Sequence, residues 1–386
     1  MSFIRNDWER NYLERLEPTL HTFSERAAGL DTAGDFPYEN INDLIMSGYT
    51  KLTLSEEFGG LGKGLYEYLL VQEAIARHCG STALAIGWHV GIVLQLKDNN
   101  RGWNKDVFNE VMEKVSKGAL INRAASEPAT GSPSRGGIPT TTAKLVDGKW
   151  ILNGRKNYTS LAPVLNLIIV SAWIPEREQL GWFLIDRDTP GVEIKKTWNV
   201  ISMQGTGSED LLLNNVEVDD KYLVETGTHG VMYDDSWLLH IPACYIGIAG
   251  AARNFAIDFA KTHSPNSISG TISELPNVKM KIGKMELELI KSRHFLYSVA
   301  SQWINQPKNH EQLRAQLGAV KVAVTNSALS IVDLSMRIVG AFSLQKSCPL
   351  QRYYRDVRAG LHNPPMDDVV IQLLAQASFE EYENFQ

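Results

Sequence analysis

Cysteine is scarce in this chain: Cys79, Cys244 and Cys348 are far apart among 386 residues. With no Cys-x-x-Cys pair, a cysteine-based zinc site is disfavoured. The sparse, odd count speaks against a disulfide framework and fits a reducing compartment. An excess of charge of one sign is also missing. Lys plus Arg is 38, Asp plus Glu is 44, and the net charge is -6. A mildly acidic surface is not built to grip nucleic acid or an anionic membrane. Long apolar runs are lacking too. Residues 167–174 are far too few to span a bilayer, and residues 241–260 carry Arg253 and Asp258, so they read as a buried helix. The first ten residues are charged from Arg5 onward and lack the apolar core of a signal peptide, so the expected location is the cytoplasm. No internal repeat or low-complexity tract occurs.

What is present is ordinary globular composition, 44% apolar and 21% charged, in a length suited to two or three domains. Residues 7–30 place Trp8, Tyr12, Leu13, Leu16 and Leu20 at helical spacing, with Pro18 expected to kink or split the helix. Residues 65–78 repeat the pattern. The glycine-rich stretch from Ser55 to Gly64 follows no strong strand and lacks a Gly-Lys-Ser/Thr ending, so it reads as a structural turn rather than a phosphate cradle. After Gly118 the pattern becomes β-rich. Asp147-Gly148 between two alternating runs signals a hairpin, and further strands are expected at 165–173, 182–186, 192–196 and 210–218. Long helices are expected at 241–261, 276–304, 312–339 and 367–376. The fold class is therefore α+β: an N-terminal helical domain (1–117), a central small β-barrel domain (118–226) and a C-terminal four-helix bundle (227–386).

Five local sequences in this order resemble the acyl-CoA dehydrogenase superfamily of flavoproteins over nearly the whole chain. They are Ser55-Glu-Glu-Phe-Gly-Gly-Leu-Gly62, the helix Val71-Gln-Glu-Ala-Ile-Ala-Arg77, Ser126-Glu-Pro-Ala-Thr-Gly-Ser132, the stretch from Gly148 to Ser160, and Tyr353-Tyr-Arg-Asp356. The resemblance implies a flavin between the β domain and the bundle. Ser126 and Ser160 would hydrogen-bond its ring, Tyr158 would cover one face, and Ser132 would lie near a phosphate. It also implies a homotetramer.

Departures from the family pattern matter as much. Many members use a Glu after Tyr-Arg-Asp to remove an α-proton from a thioester; an ungapped count places Pro364 there, and proline cannot be a base. The arginine-containing stretch that helps hold a dinucleotide pyrophosphate is replaced by Ser264-Pro-Asn-Ser-Ile-Ser-Gly270, which opens FMN as an alternative to FAD. Leu361-His-Asn-Pro364 and Trp88-His89 resemble features of the dibenzothiophene monooxygenase-like branch, with Asn363 where that branch has Asp. Three histidines compete for the proton-transfer role: His362 in the loop, His240 at a helix start where some dehydrogenases keep a relocated Glu, and His89. Asp367 and Asp368 read as helix-capping carboxylates.

The expectation is a flavin-dependent oxidoreductase that takes a hydride from an acyl thioester or related small substrate, with an electron-transfer flavoprotein as partner. The alternatives are a two-component monooxygenase fed by a flavin reductase, and a non-catalytic homologue that binds acyl groups or a partner.

Overall fold

The computed structural model describes residues 3–100, 102–130, 137–227 and 236–384. Among the described residues five α-helices come first: α1 (Asp7–Ala33), α2 (Tyr38–Met46), α3 (Leu65–His78), α4 (Gly80–Asp98) and α5 (Lys105–Ser116). Asn6 caps α1 through its side chain, and Gly34 ends it in the left-handed conformation. Tyr12, Leu16, Leu20, Phe23 and Ala27 form its buried stripe. Pro18 does not split α1. It lies on the exposed face, where water can satisfy the carbonyl that loses its amide partner. The glycine-rich stretch is a turn around a short helical segment, Glu56–Phe58. A Cβ at Gly60 would meet Leu54 O at 2.1 Å, so only glycine fits there.

Among the described residues eight strands follow: β1 (Ile121–Ala124), β2 (Thr142–Val146), β3 (Lys149–Thr159), β4 (Leu167–Ile174), β5 (Gln179–Asp186), β6 (Val192–Lys195), β7 (Glu209–Asp219) and β8 (Leu223–Gly227). They form one sheet in the order β6-β7-β3-β2-β4-β5-β8, with β1 parallel to β4. Asp147 and Gly148 both have positive φ, the geometry of a two-residue hairpin turn.

Helices α6 (His240–Thr262), α7 (Pro276–Asn305), α8 (His310–Val339), α9 (Pro349–Arg358) and α10 (Asp367–Asn384) complete the chain. α6, α7 and α8 pack on one another, and α6 also packs on α3 and α4, so both helical regions share one core. α4 is buried along nearly its whole length and touches β1 as well, so it links the helical core to the sheet.

The sheet contains a buried ion pair. Lys156 Nζ lies 2.6 Å from Glu127 Oε1, both side chains fully buried, with a further bond to Ser171 Oγ at 3.0 Å. The backbone amides of Thr140 and Thr141 also donate to Glu127, at 2.6 and 3.1 Å. Burial alone would raise the carboxyl pKa, but Lys156 and the threonine donors hold it down to about 2. Lys156→Met is expected to destabilise the protein by roughly 3–5 kcal/mol, because it strands a buried charge. The wild type's extra stability should be present above pH 4.5, the ordinary carboxyl value, and vanish as pH falls towards 2. Urea titrations of both proteins across that range check both statements.

Candidate active site

A bulge in β3 builds the first wall of the site. The register between β3 and β7 shifts between Lys156 and Thr159. Tyr158 sits in that shift at φ 54°, a left-handed conformation that an aromatic residue adopts only under constraint. The bulge throws Tyr158 out of the ladder. Tyr158 is 63% exposed, with its ring edge-on to Trp198 and centroids 5.9 Å apart. Behind it, Asn157 N donates to Ser126 O at 3.0 Å and fixes the Ser126 strip alongside β3.

Ser160 ends a hydroxyl chain. Thr206 Oγ1 donates to Met203 O at 3.0 Å, and Ser208 Oγ lies 2.8 Å from both Thr206 Oγ1 and Ser160 Oγ. Asn122 Nδ2 donates to Ser160 O at 2.8 Å. The turn that carries Met203 is held from the helical side, because Met203 N donates to Asp356 Oδ1 at 2.7 Å. Burial pushes the Asp356 carboxyl up to about 6, against the pull of that amide.

These elements border a cleft of 1410 Å³ between the sheet and the helices. Ser126, Tyr158, Ser160, His362 and Pro364 all line it. Trp88, Trp182, Trp198 and Trp237, with Leu84 and Leu238, give it an aromatic, apolar wall. Among the described residues two carboxylates reach it, and each is engaged. Glu127 is in the ion pair above. Glu225 accepts from Arg123 at 2.5 Å and from Trp103 Nε1 at 3.0 Å. His362 follows a short helical segment, Ala359–Leu361, at the exposed rim.

The other two histidines lie outside the cleft lining. His89 is fully buried, with Nε2 3.0 Å from Thr50 O and Nδ1 accepting from Ile121 N at 3.1 Å. Since Nδ1 accepts, Nε2 carries the proton, and the ring ties α4 to β1 with both nitrogens occupied. His240 is also fully buried, at the start of α6 among Tyr68, Trp88 and Trp237. Its Nδ1 lies 2.9 Å from Trp237 O, and its Nε2 has no partner among the described residues. Burial lowers both imidazoles to about 4, opposed in part by their hydrogen bonds. Both stay neutral near pH 7. Ser132 lies outside the described residues.

Sequence reasoning missed the Thr206–Ser208 hydroxyls, the Arg123–Glu225 pair and Trp237. Ser208 meets Ser160 48 positions away, Arg123 meets Glu225 102 positions away and Trp237 meets Trp88 on α4, and no local spacing marks these contacts.

Cleft, aromatic wall and layered fold together define a small-molecule enzyme site between a β domain and a helical bundle. The acyl-CoA dehydrogenase N-terminal, middle and C-terminal domain models match residues 19–99, 122–216 and 239–363. A Bacillus subtilis (strain 168) protein named as an acyl-CoA dehydrogenase, YdbM, is 50% identical over 380 residues, which cover 98% of this chain and 99% of that protein. Butyryl-CoA dehydrogenase from Megasphaera elsdenii has a similar structure, with TM-score 0.84, 19% identity and coverage of 98% and 100% of the two chains. So does KijD3 in complex with FMN and a dTDP-linked amino keto sugar, with TM-score 0.86, 22% identity and coverage of 98% and 95%. The chain belongs to the acyl-CoA dehydrogenase family and is a flavin-dependent oxidoreductase.

The residues present fit a flavin. Tyr158 offers an uncovered ring face in the cleft wall, Ser160 is a fixed hydroxyl beside it, and Asn157 Oδ1 has no partner among the described residues.

His89→Gln is expected to keep turnover and lower the melting temperature. Because burial depresses its folded pKa below 6.5, the wild type loses this histidine's contribution as pH falls from 6.5 to 4. The stability gap between wild type and variant should therefore narrow over that window. Thermal melts at several pH values check this, and a gap that widens on acidification contradicts it.

Proposed function

We propose that the protein is a reduced-flavin-dependent monooxygenase, with His362 as the proton-transferring group and a small apolar substrate against Trp88, Trp182 and Trp237. One observation carries this reading. No carboxylate in the described cleft lining is available as a base, since Glu127 and Glu225 are both bound to cations and further donors and Pro364 stands in the active-site loop. Removing an α-proton from a thioester calls for a well-placed base inside the site. When bound, reduced flavin supplies the two electrons that, with O2, put one oxygen atom on the substrate and release the other as water.

The chain's own residues do the rest. Tyr158 covers a ring face, and Ser126 and the Ser160 hydroxyl chain orient polar ring edges. The tryptophan wall excludes water. His362, at the exposed rim, gives or takes a proton at its ring nitrogen. FMN is favoured over FAD because the Ser264–Gly270 loop carries no cation for a pyrophosphate. A flavin reductase would be the partner.

The second reading, dehydrogenation of an acyl thioester, is favoured by the relative that is 50% identical and named as an acyl-CoA dehydrogenase. His362 would then be the base, and an electron-transfer flavoprotein the partner. Anaerobic mixing of flavin-loaded protein with a panel of acyl-CoA compounds separates the two. The expected result is no loss of oxidised-flavin absorbance, with product formation only when reduced FMN and O2 are supplied. Bleaching by an acyl-CoA overturns the monooxygenase reading. In either chemistry His362→Ala should lower turnover roughly a hundredfold while flavin binding persists. Unchanged turnover removes His362 from the mechanism.

A homotetramer is part of the same proposal. Met280, Leu287 and Ile290 on α7, and Ile371, Leu373, Phe379 and Tyr382 on α10, are large apolar side chains exposed on this chain alone. A second copy is the natural cover for such faces in this family. Sedimentation should give about four times the 43.1 kDa of one chain, and a monomeric mass at micromolar concentration contradicts it.

A further inference from the structure

We infer that Tyr245 is a positioning residue for His362, clamping both ends of the loop segment that carries it. The inference rests on the proton-transfer role proposed for His362. Tyr245 is fully buried on α6. Its ring lies against Gly360, where a Cβ would meet ring carbons Cδ2 and Cε2 at 3.0 Å. A side chain at 360 would push the loop off the helix. The Tyr245 hydroxyl donates to Asn363 Oδ1. Burial pushes the phenol pKa well above its ordinary value, so the hydroxyl keeps its proton and remains a donor.

Between these two grips lie Leu361 and His362. The amides of His362 and Asn363 both turn back to Ala359 O, at 2.9 and 3.2 Å. The His362 ring makes no hydrogen bond of its own among the described residues, although it lines the cleft. Its direction is therefore set by its backbone, and Tyr245 is the side chain that fixes that backbone at both ends. Asn363 meets the geometric need of the clamp with an uncharged acceptor, leaving the imidazole without an adjacent negative charge from this position. A carboxylate at 363 would accept the same hydroxyl.

A double-mutant cycle tests the clamp in flavin-loaded protein labelled with 13C at histidine Cε1. The His362 resonance is assigned by its loss in His362→Ala. Tyr245→Phe and Asn363→Ala are each expected to shift and narrow that resonance as the loop is freed. The double variant should add nothing further, because both changes break one bond. Asn363→Asp should keep the wild-type line width. On any substrate the wild type turns over, Tyr245→Phe should lower kcat about tenfold or more with KM nearly unchanged, the signature of a misaimed reacting group. If the His362 resonance is unmoved in Tyr245→Phe, or if the two single effects simply add, the clamp is overturned even where His362→Ala is inactive. If His362→Ala keeps full turnover, the reading beneath the clamp falls, and the positioning role with it.

Discussion

The hydrogen bond from Met203 N to the buried Asp356 carboxylate registers the two walls of the cleft against each other. On one side it holds the turn whose Thr206 hydroxyl begins the chain to Ser160. On the other it holds α9, which runs directly into the Gly360–Pro364 loop. The neighbouring Arg355 extends the tie, reaching Asp31 on α1 at 2.6 Å and Ile201 O at 2.5 Å. Helices and sheet meet across a cavity, so they cannot be joined by continuous apolar packing there. Directional polar bonds at the rim carry the alignment instead. A backbone amide bonded to a buried carboxylate suits that task, because such charge-assisted bonds are short and orientation-sensitive.

The long elements were legible in the sequence because their burial is periodic. α3, α7 and α8 declare themselves by apolar spacing, and the β2–β3 hairpin by Asp147-Gly148. Shorter pieces were not legible. β1 has four residues, and its parallel partner β4 begins 46 positions beyond it in register, Ile121 facing Leu167. Nothing local to Ile121–Ala124 announces that pairing. β8 stayed hidden for a related reason, since it pairs with β5 at a register irregularity instead of completing a hairpin. α1 shows the opposite failure. Local chemistry made Pro18 a breaker, but the buried stripe continues on the opposite face and the proline sits on the wet one.

At the site, family resemblance brought Ser126, Tyr158, Ser160 and His362 to attention, and the fold brings all four to one cleft. Residue type alone could not separate the three histidines. Their difference lies in burial and partners: His89 and His240 are sealed in and held neutral, while His362 stands at the rim. The Tyr245–Asn363 contact spans 118 positions and was equally invisible to spacing.

The fate of the carboxylates is what favours an imidazole in the proposed chemistry. A carboxylate serves as a base only while its lone pairs are free and its conjugate acid is tolerable. Glu127 is saturated by Lys156 and the threonine donors, which depress its basicity below what any weak carbon acid requires. Glu225 is spent on Arg123 and Trp103. The two carboxylates of the described cleft lining are thus closed to proton transfer by the bonds that stabilise the wall. Under the proposed chemistry, proton transfer passes to His362, a rim side chain whose ring makes no hydrogen bond among the described residues. The same argument makes loop geometry decisive. In that reading, a rim imidazole with no hydrogen bond among the described residues to aim it depends on how firmly residues 360–363 are held against α6.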